Sequence, residues 1–447
     1  MALFYSEKSP KFSQKSPVKL PPLMIERLDY QGLGVAKHQG KTWFVENALP
    51  MEIVEVSVLE EKRQYGRARA VKWQKMSPHR QIPNCAFYAI CGGCQMQHIP
   101  LNMQREAKQQ ALFQRLQRLQ PTPIAFEPMI VGPDRHYRRR AKLHLNWDKK
   151  GLSFGFRQAN SQQIINVNNC DVLMPSLSAL LPKLHALFSQ WQRKKQLGHV
   201  ELVQADNGLC MLLRHVGELA EVDKQRLLDF AETDKLLLFV MSEKGQVIQW
   251  RGEPPYYQIA GLKLHFSMRD FIQVNAEQNE KMVATALEWL ELTEQDRVLD
   301  LFCGMGNFTL PIALQAAYVV GVEGVEEMVQ QARQNAELNG IENVAFYQTD
   351  LAQSFTDKPW AHSAFNKVLL DPARSGAAFA LEHLCQLQPQ RIVYVSCNPA
   401  TLVRDAEKLI AEGYQLKRSA MIDMFPHTVH LESISLFEKI EIPNAMP

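Results

Sequence analysis

The chain has little of what marks several large classes of protein. Its eight cysteines are too few among 447 residues for a disulfide scaffold. Its apolar runs are short, and Leu236–Met241 falls far below the roughly 18 apolar residues of a membrane helix. Residues 1–17 contain no apolar stretch of the signal-peptide type. These absences predict a cytoplasmic protein that makes no contact with a membrane.

An excess of charge of one sign is also missing. Lysine and arginine total 50 against 47 aspartates and glutamates, and the formal net charge is +3. Because that balance does not by itself indicate nucleic-acid binding, the placement of the basic residues matters more than their sum. Hydrophobic residues make up 46% and charged residues 22%, which excludes disorder over the whole length. The length predicts about three domains of roughly 150 residues each.

Residues 17–76 predict a small all-β domain. Val54, Val56 and Val58 alternate with polar residues, as in a half-buried strand, and residues 38–41 predict a hairpin turn. Five short strands with glycine turns indicate a barrel of the oligonucleotide-binding type. Cations and aromatic rings occur together here, which favours RNA contact over an ordinary solvated surface. These residues are Lys37, Lys41, Lys62, Arg63, Arg67, Arg69, Lys72, Trp43, Tyr65 and Trp73.

Three further segments complete the predicted organisation. Residues 1–16 predict a flexible basic tail. Residues 77–262 predict a central α+β domain with an amphipathic helix over Leu101–Leu119. Residues 263–447 alternate buried strands with helix-length segments, which predicts an α/β domain with a doubly wound, mostly parallel sheet of Rossmann-like type. The predicted strands are 297–302, 318–323, 344–348, 367–370 and 391–396.

A glycine-bearing turn follows the first of these strands. Gly304 and Gly306 fit a G-x-G opening, but Thr309 stands where the dinucleotide fingerprint has glycine. Alone the turn is a weak signal, because such turns often only join a strand to a helix. Glu323 ends the next strand, where a carboxylate can bind a ribose diol, and Asp350 follows the third, where it can face an adenine amino group. Together these residues indicate a nucleoside-containing cofactor.

Four short motifs carry a resemblance to a known family. They are F-x-Q-x-N at 271–275, D-P-x-R at 371–374, S-C-N-P-x-T at 396–401 and P-H-T-x-H-x-E at 426–432. Together with the glycine-bearing turn they resemble the S-adenosylmethionine-dependent RNA uracil methyltransferases, which make 5-methyluridine. The Asn-Pro-Pro-Tyr motif of amino-methylating enzymes is absent from the sequence, which argues against an exocyclic amine as the methyl acceptor.

The resemblance implies a covalent mechanism. Carbon 5 of uracil is a poor nucleophile, so a thiolate must first add to carbon 6 and convert the ring to an enolate. The resemblance assigns this thiolate to Cys397 and the removal of the carbon-5 proton to Glu432. A metal site at His427 and His430 is the disfavoured alternative, because further ligands are lacking. The residues that the resemblance assigns to the S-adenosylmethionine site are Gln273, Phe302, Asn307, Glu323, Asp350 and Asp371.

A group of cysteines indicates a metal centre. Cys85, Cys91 and Cys94 form C-x5-C-G-G-C, and Cys170 lies in an N-N-C-D segment. In a cytoplasmic protein such thiols favour zinc or an iron–sulfur cluster over disulfides, and their irregular spacing favours a four-iron cluster. The same spacing occurs in iron–sulfur members of the family, so the resemblance implies a [4Fe-4S] cluster bound by these four residues. The remaining cysteines Cys210, Cys303 and Cys385 are predicted to be buried.

The barrel resembles the TRAM domain of those family members that modify 23S ribosomal RNA. The resemblance therefore implies a 23S ribosomal RNA (uracil-C5) methyltransferase that acts on the uridine numbered 1939. Because that nucleotide must be unstacked to reach Cys397, we expect a loop site, and we expect the protein to be a monomer. Two alternatives stay open: a uracil methyltransferase of transfer RNA or of another ribosomal site, and a non-catalytic RNA-binding protein with a vestigial methyltransferase fold. The residues predicted to contact RNA phosphates, rather than form a solvated strand, are Arg135, Arg138, Arg139, Arg140 and Lys142.

Overall fold

The computed structural model describes residues 20–149 and 151–440. The predicted basic tail, residues 1–16, lies outside the described residues. Packing divides the chain into two compact units, of which the first holds the described residues up to Ile82 with His98–Pro100 and the second holds the remainder. Within the described ranges, no helix is long and apolar enough to cross a membrane.

The first unit is a closed β-barrel. Its strands are β1 (Leu23–Met24), β2 (Arg27–Leu28), β3 (Gly34–His38), β4 (Lys41–Glu46), β5 (Ile53–Glu61) and β6 (Tyr65–Lys75). Their order is β1-β5-β6-β4-β3-β2, with β4 and β6 parallel. The Ile25 N–H donates to Glu52 O at 2.9 Å and the Glu26 N–H donates to Val35 O at 2.8 Å, so β1 and β2 join the two edges of the sheet. The predicted small barrel and its hairpin turn between β3 and β4 are confirmed.

The barrel interior is built around a tryptophan and a buried carboxylate. Trp43 is only 1% exposed, so it is a core residue and its predicted place among RNA-contacting rings is wrong. Glu52 is fully buried and accepts hydrogen bonds from Trp73 Nε1 at 3.0 Å and from Arg80 Nε at 2.6 Å. These charge-assisted bonds satisfy a carboxylate that would otherwise be costly to bury.

Some of the cations predicted on the barrel are paired with acids on its surface. Lys72 Nζ lies 3.2 Å from Glu55 Oε1, and an Arg69 nitrogen lies 2.8 Å from Glu46 Oε2. Exposed pairs of this kind contribute little to stability, so phosphates can compete for the same cations. RNA contact by the barrel stays a prediction.

The second unit begins with helix α1 (Leu101–Leu116) and strand β7 (Ala125–Phe126), followed by a seven-stranded sheet. The sheet contains β8 (Arg140–Asp148), β9 (Gly151–Arg157), β10 (Ile164–Asn166), β11 (Leu197–Ala205), β12 (Gly208–His215), β13 (Leu236–Met241) and β14 (Val247–Arg251) in the order β10-β9-β8-β11-β12-β13-β14. Helices α2 (Pro175–Ser189) and α3 (Glu221–Thr233) pack against it, and their leucines share a core with Phe154, Phe188 and Trp191. The hairpin β15 (Tyr256–Ile259) and β16 (Leu262–His265) follows. The predicted domain limits at residues 76 and 262 stay predictions.

A second large sheet lies in the same unit. Its further strands are β17 (Arg297–Leu301), β18 (Tyr318–Glu323), β19 (Val344–Gln348), β20 (Lys367–Leu370), β21 (Arg391–Ser396), β22 (Tyr414–Ile422) and β23 (Glu432–Lys439). The helices are α4 (Ala276–Leu290), α5 (Thr309–Ala313), α6 (Glu326–Leu338), α7 (Ala378–Leu384) and α8 (Pro399–Ala411), and short 3-10 turns span Lys194–Gln196, Pro359–His362 and Cys385–Leu387. The order is β19-β18-β17-β20-β21-β23-β22-β7. The five predicted strands are confirmed as the parallel part, and β23 runs antiparallel between β21 and β22.

Two element ends differ from the predictions. Strand β17 ends at Leu301 because Phe302 has a φ of +66°, outside the β region. Helix α1 ends at Leu116 instead of 119. Gln120 precedes a proline, which disfavours helical backbone, and its side-chain amide instead exchanges two hydrogen bonds of 3.0 Å with the backbone of Leu416 in β22.

The barrel core leads to a stability prediction. A Cβ added to Gly66 would lie 2.3 Å from the Trp43 ring, so Gly66→Ala forces the tryptophan to move. We expect the free energy of unfolding to fall by about 1–3 kcal/mol, measured by chemical denaturation. The matched control is Arg67→Ala at the next, exposed position of β6, which should change it by less than about 0.5 kcal/mol. Equal stability of the two variants would contradict the packing described here.

Candidate active site

The carboxyl ends of β17, β20 and β21 open into a cavity of about 530 Å³. The strand order reverses between β17 and β20, and open α/β sheets bind ligands at such a reversal. Every predicted catalytic and cofactor residue except Asp350 lines this cavity, namely Gln273, Phe302, Asn307, Glu323, Asp371, Cys397 and Glu432. The fold therefore brings together motifs that lie far apart in the sequence.

The turn after β17 is shaped by left-handed backbone. Phe302, Gly304 and Gly306 have φ values of +66°, +55° and +100°. The Gly304 N–H donates to Glu323 Oε2 at 3.2 Å, so the carboxylate that ends β18 is held against the turn. Thr309, the departure from the dinucleotide fingerprint, donates its hydroxyl to buried Asp300 at 2.5 Å. The threonine hydroxyl thus bonds one oxygen of an acid beneath the turn, a contact that glycine cannot make.

Two residues that the sequence did not single out hold the amide of Asn307. The Tyr257 hydroxyl and Asn279 Nδ2 both donate to Asn307 Oδ1 at 2.9 Å, and Asn307 Nδ2 donates to Asn279 Oδ1 at 3.0 Å. Asn279 lies one helical turn after Asn275 of the F-x-Q-x-N motif, a spacing that offered a signal. Tyr257 comes from the hairpin of β15 and β16, and the sequence offered no comparable signal for it.

Asp350 lies apart from the other predicted cofactor residues. It is exposed, two residues beyond the end of β19, and its carboxylate accepts from the Ala352 N–H at 3.0 Å and from the Gln353 side-chain amide at 2.9 Å. In the described part of the chain it is not among the residues that line the cavity. Its contact with an adenine amino group stays a prediction.

The strand register sets Cys397 opposite Glu432. Cys397 follows β21, Glu432 begins β23, and Ser396 pairs with Ser433 between these strands. Asn398 caps helix α8 by accepting from the Ala400 N–H, so the thiol lies between a strand end and a helix start. A thiol and a carboxylate are therefore held side by side by two rigid elements.

The charged groups of the cavity perturb one another. Burial first, and then the carboxylates of Glu432 and Asp371, raise the pKa of the Cys397 thiol to about 11, while Arg374 opposes them. Burial, and then the neighbouring Asp371, raise the pKa of Glu432 to about 8, whereas burial alone raises that of Asp371 to about 7. Arg374 also contacts the ring of His430, whose pKa burial and this cation lower to about 4. The cavity thus favours neutral acids and resists a second negative charge.

The four predicted metal-binding cysteines are neighbours. All are free and half-buried. Burial first, and then the charges of neighbouring thiols in this group, raise the pKa of Cys91, Cys94 and Cys170, that of Cys94 to about 12. Among the described residues, no group of three or more histidine, cysteine, aspartate or glutamate side chains has the arrangement that holds a metal ion. The arrangement therefore does not support a single-ion zinc site.

The two histidines of the P-H-T-x-H-x-E motif make other contacts. His430 contacts Arg374, and the ring of His427 lies 3.1 Å from both Asp134 Oδ2 and Gln104 Nε2. The disfavoured metal site at these residues gains no support within the described ranges.

The predicted phosphate contact is wrong for two arginines of the basic run. Arg139 is 3% exposed, donates to Gln273 O at 2.8 Å and stacks 4.8 Å from the centre of the Tyr257 ring. Arg140 donates to Glu201 Oε2 at 2.9 Å and to backbone carbonyls. The guanidinium of Arg139 is therefore buried, and that of Arg140 is already bound to protein acceptors. Phosphate contact by Arg135, Arg138 and Lys142 stays a prediction.

The remaining cysteine prediction is confirmed. Cys210, Cys303 and Cys385 are each less than 5% exposed. Burial raises the pKa of all three thiols. These cysteines therefore act as small apolar core residues.

The raised carboxyl pKa values predict how stability depends on pH. Because the folded state favours the neutral forms of Asp371 and Glu432, with pKa values of about 7 and 8, their contribution is present at low pH and is lost as pH rises through those values. We expect the Tm of the wild-type protein to fall between about pH 5.5 and 8.5, and Glu432→Gln to reduce this fall by about 2 °C or more. The control is Glu407→Gln, an exposed position of α8. An identical fall in both variants would contradict the burial of this charge.

Comparisons with known proteins agree with this geometry. The family model described as tRNA (Uracil-5-)-methyltransferase matches residues 101–440, and that of the TRAM domain matches residues 22–71. A protein named 23S rRNA (uracil(1939)-C(5))-methyltransferase RlmD from Haemophilus ducreyi is 59% identical over 98% of this chain and 100% of its own. A protein of that name from Pasteurella multocida is 61% identical over 92% of this chain and 94% of its own. Another, from Vibrio cholerae, is 50% identical over 98% of this chain and 100% of its own.

A solved structure shares the fold. The Pyrococcus abyssi tRNA (uracil-54, C5)-methyltransferase in complex with S-adenosyl-L-homocysteine aligns with 93% of this chain and 99% of its own, with a TM-score of 0.71 at 23% sequence identity. The family model covers most of the chain and the relatives cover nearly all of it. The chain therefore belongs to the RNA (uracil-5-)-methyltransferase family, and its first unit is a TRAM domain.

Proposed function

We propose that this protein transfers a methyl group from S-adenosylmethionine to carbon 5 of a uridine in 23S ribosomal RNA, the one numbered 1939 in the names of its relatives. The observation that carries the proposal is the register that sets the Cys397 thiol beside the Glu432 carboxyl within one cavity. The proposed setting is the cytoplasm, where the protein acts as a monomer.

The cofactor binds, in this proposal, along the carboxyl ends of β17 and β18. Glu323 accepts hydrogen bonds from the ribose hydroxyls, and the remaining surface is lined by Phe302, Asn307 and Gln273. S-adenosylmethionine supplies a methyl group on a cationic sulfonium. Asp371 lies between this region and Cys397, where a carboxylate favours the positive charge of the bound donor.

The chemistry proceeds by covalent catalysis. The Cys397 thiolate adds to carbon 6 of the uracil ring, and the electron pair of the 5,6 double bond moves into an enolate. Carbon 5 then attacks the methyl carbon, and the bond from that carbon to sulfur breaks and releases S-adenosylhomocysteine. The Glu432 carboxylate removes the proton from carbon 5, and the double bond re-forms as the Cys397 sulfur leaves carbon 6.

The electrostatics of the cavity match this sequence of steps. The raised pKa of Cys397 means that its thiolate is scarce before the ligands bind and is a strong nucleophile once formed. Arg374 is the cation that opposes the carboxylates beside the thiol. The raised pKa of Glu432, about 8, makes its carboxylate a stronger base than an ordinary glutamate.

The covalent step has a direct test. RNA that contains 5-fluorouridine should form a stable adduct with the wild-type protein in the presence of S-adenosylmethionine, because fluorine cannot leave as a proton does. Cys397→Ala should form none, and Glu432→Gln should accumulate an adduct even on ordinary uridine, since the proton then has no acceptor. Denaturing gels and intact mass measure both. The matched control is Cys210→Ser, a buried cysteine outside the cavity.

Two outcomes would redirect the assignment. If wild-type protein binds cofactor and RNA but forms no fluorouridine adduct, the non-catalytic RNA-binding alternative is favoured. If unmodified transfer RNA accepts methyl groups faster than unmodified 23S ribosomal RNA in parallel assays, the target class is wrong although the chemistry stands. The close relatives named for 23S RNA and the TRAM domain support the ribosomal target.

The proposal includes a [4Fe-4S] cluster on Cys85, Cys91, Cys94 and Cys170. The electrostatic interaction of their thiols supports it, since isolated cysteines would not shift one another's pKa. Each thiolate of such a cluster binds a different iron atom, so the four sulfur atoms need not converge on the single point that a zinc ion requires. When bound, the cluster would fix two distant segments of the chain.

Iron content tests this part independently of activity. Anaerobically purified wild-type protein should contain about four iron atoms per chain and absorb visible light. Cys94→Ser should lose most of the iron, whereas the control Cys210→Ser should keep it. Stoichiometric zinc in place of iron, or iron that Cys94→Ser retains, would contradict the proposed cluster.

A further inference from the structure

The segment after Cys94 is hydrogen-bonded to the loop that precedes Glu432. The backbone carbonyl of His427 accepts from the Gln95 N–H at 2.9 Å and from the Met96 N–H at 3.0 Å. His427 has a φ of +65°, in the left-handed region that non-glycine residues seldom adopt. In this conformation the His427 carbonyl points to the segment after Cys94, and the loop backbone forms both hydrogen bonds of the contact.

A single buried side chain bonds both partners of this contact. Gln104 of α1 is 2% exposed. Its Nε2 donates to Met96 O at 3.0 Å and lies 3.1 Å from His427 Nδ1, while its Oε1 accepts from the His427 N–H at 3.1 Å. The other ring nitrogen of His427 lies 3.1 Å from Asp134 Oδ2. Gln104 therefore joins the segment after Cys94 to the loop before Glu432 by direct hydrogen bonds.

The segment that carries Cys170 is linked to the same loop through Tyr137 and Arg138. The Tyr137 hydroxyl donates to Pro426 O at 3.1 Å, and Tyr137 is buried. The next residue, Arg138, donates its N–H to Val172 O at 2.9 Å, beside Cys170. The segment after Cys94 thus contacts His427 directly, and the Cys170 segment is linked to Pro426 through Arg138 and Tyr137.

The position of Glu432 depends on this loop more than that of Cys397 does. Glu432 is the first residue of β23, so the residues that follow it in the chain are held by strand pairing and the residues that precede it belong to the loop. Cys397 is held by β21 and by the cap of α8, which make none of these loop contacts. A displaced loop should therefore move the base and leave the nucleophile in place.

We propose that Gln104 and His427 are positioning residues that hold Glu432 in place to remove the carbon-5 proton, and that they make its position depend on the cysteine segments. The proposal rests on the proposed function. Its signature is specific: loss of Gln104 slows the last step of the reaction and spares cofactor binding and the addition of Cys397 to the ring.

Gln104→Leu tests this with ordinary and 5-fluorouridine RNA. The variant should accumulate a covalent adduct on ordinary uridine, with kcat lowered about tenfold or more because several buried hydrogen bonds are lost. Its KM for S-adenosylmethionine and its rate of fluorouridine adduct formation should stay within about threefold of wild type. A threefold change corresponds to less free energy than one buried hydrogen bond contributes. Amide hydrogen exchange of residues 425–432 should become faster. The control is Gln110→Leu, an exposed position of α1 that should change none of these.

Tyr137→Phe gives a second, milder variant in case Gln104→Leu fails to fold. It removes one hydroxyl from the contact with Pro426 and should shift the same measurements in the same direction by a smaller factor. If fluorouridine adduct formation falls as much as kcat, or if no ordinary adduct accumulates, the positioning role is overturned. Failure of wild-type protein to form the fluorouridine adduct would instead overturn the proposed function, so the two failures are distinguishable.

Discussion

The antiparallel insertion of β23 between β21 and β22 is the constraint on which the site depends. Parallel strands present their carboxyl ends at one edge of a sheet, and a single antiparallel strand presents its amino end there. Glu432 begins β23 and Cys397 follows β21, so the two meet at that edge through backbone pairing. A slip of one residue would point Glu432 at the other face of the sheet. The hydrogen-bond ladder brings the proposed nucleophile and base to one edge of the sheet, and the contacts of the loop before Glu432 complete the placement of the proposed base.

Enclosure of these groups has an electrostatic consequence. Asp371, Glu432 and Cys397 share a space from which water is partly excluded, so each anion raises the cost of the next. The proposed reaction moves negative charge from sulfur into the pyrimidine ring and back, and never needs a thiolate and a ring anion together. The adjacent cation Arg374 favours the negative charge in this region. The cavity is thus suited to one anion that changes place.

The sequence predicted most of the site because its residues lie at ends of strongly patterned strands. Apolar β-rich runs located β17 to β21, and motifs at their carboxyl ends then had to share one edge of the sheet. The failures have a common cause. Arg139 and Arg140 read as a surface charge run because their partners, Gln273 O and Glu201, are distant in sequence. Nothing local to Gln104 indicates that it bonds a histidine more than three hundred positions away.

The backbone of residues 137–139 places the buried Arg139 beside the cofactor segment. Arg139 donates its N–H to Val274 O in the cofactor segment, and Arg138 forms a bridge with Asn275, whose side chain donates to Met424 O at 3.2 Å. One strand segment thereby touches the cofactor motif, the loop before the base and the Cys170 region. Burying a guanidinium is costly unless hydrogen bonds compensate. The Arg139 guanidinium donates to Gln273 O and stacks on the Tyr257 ring, whereas the backbone bonds of this segment join three motifs. Because buried polar networks strengthen or fail together, we expect these parts of the site to respond as one unit.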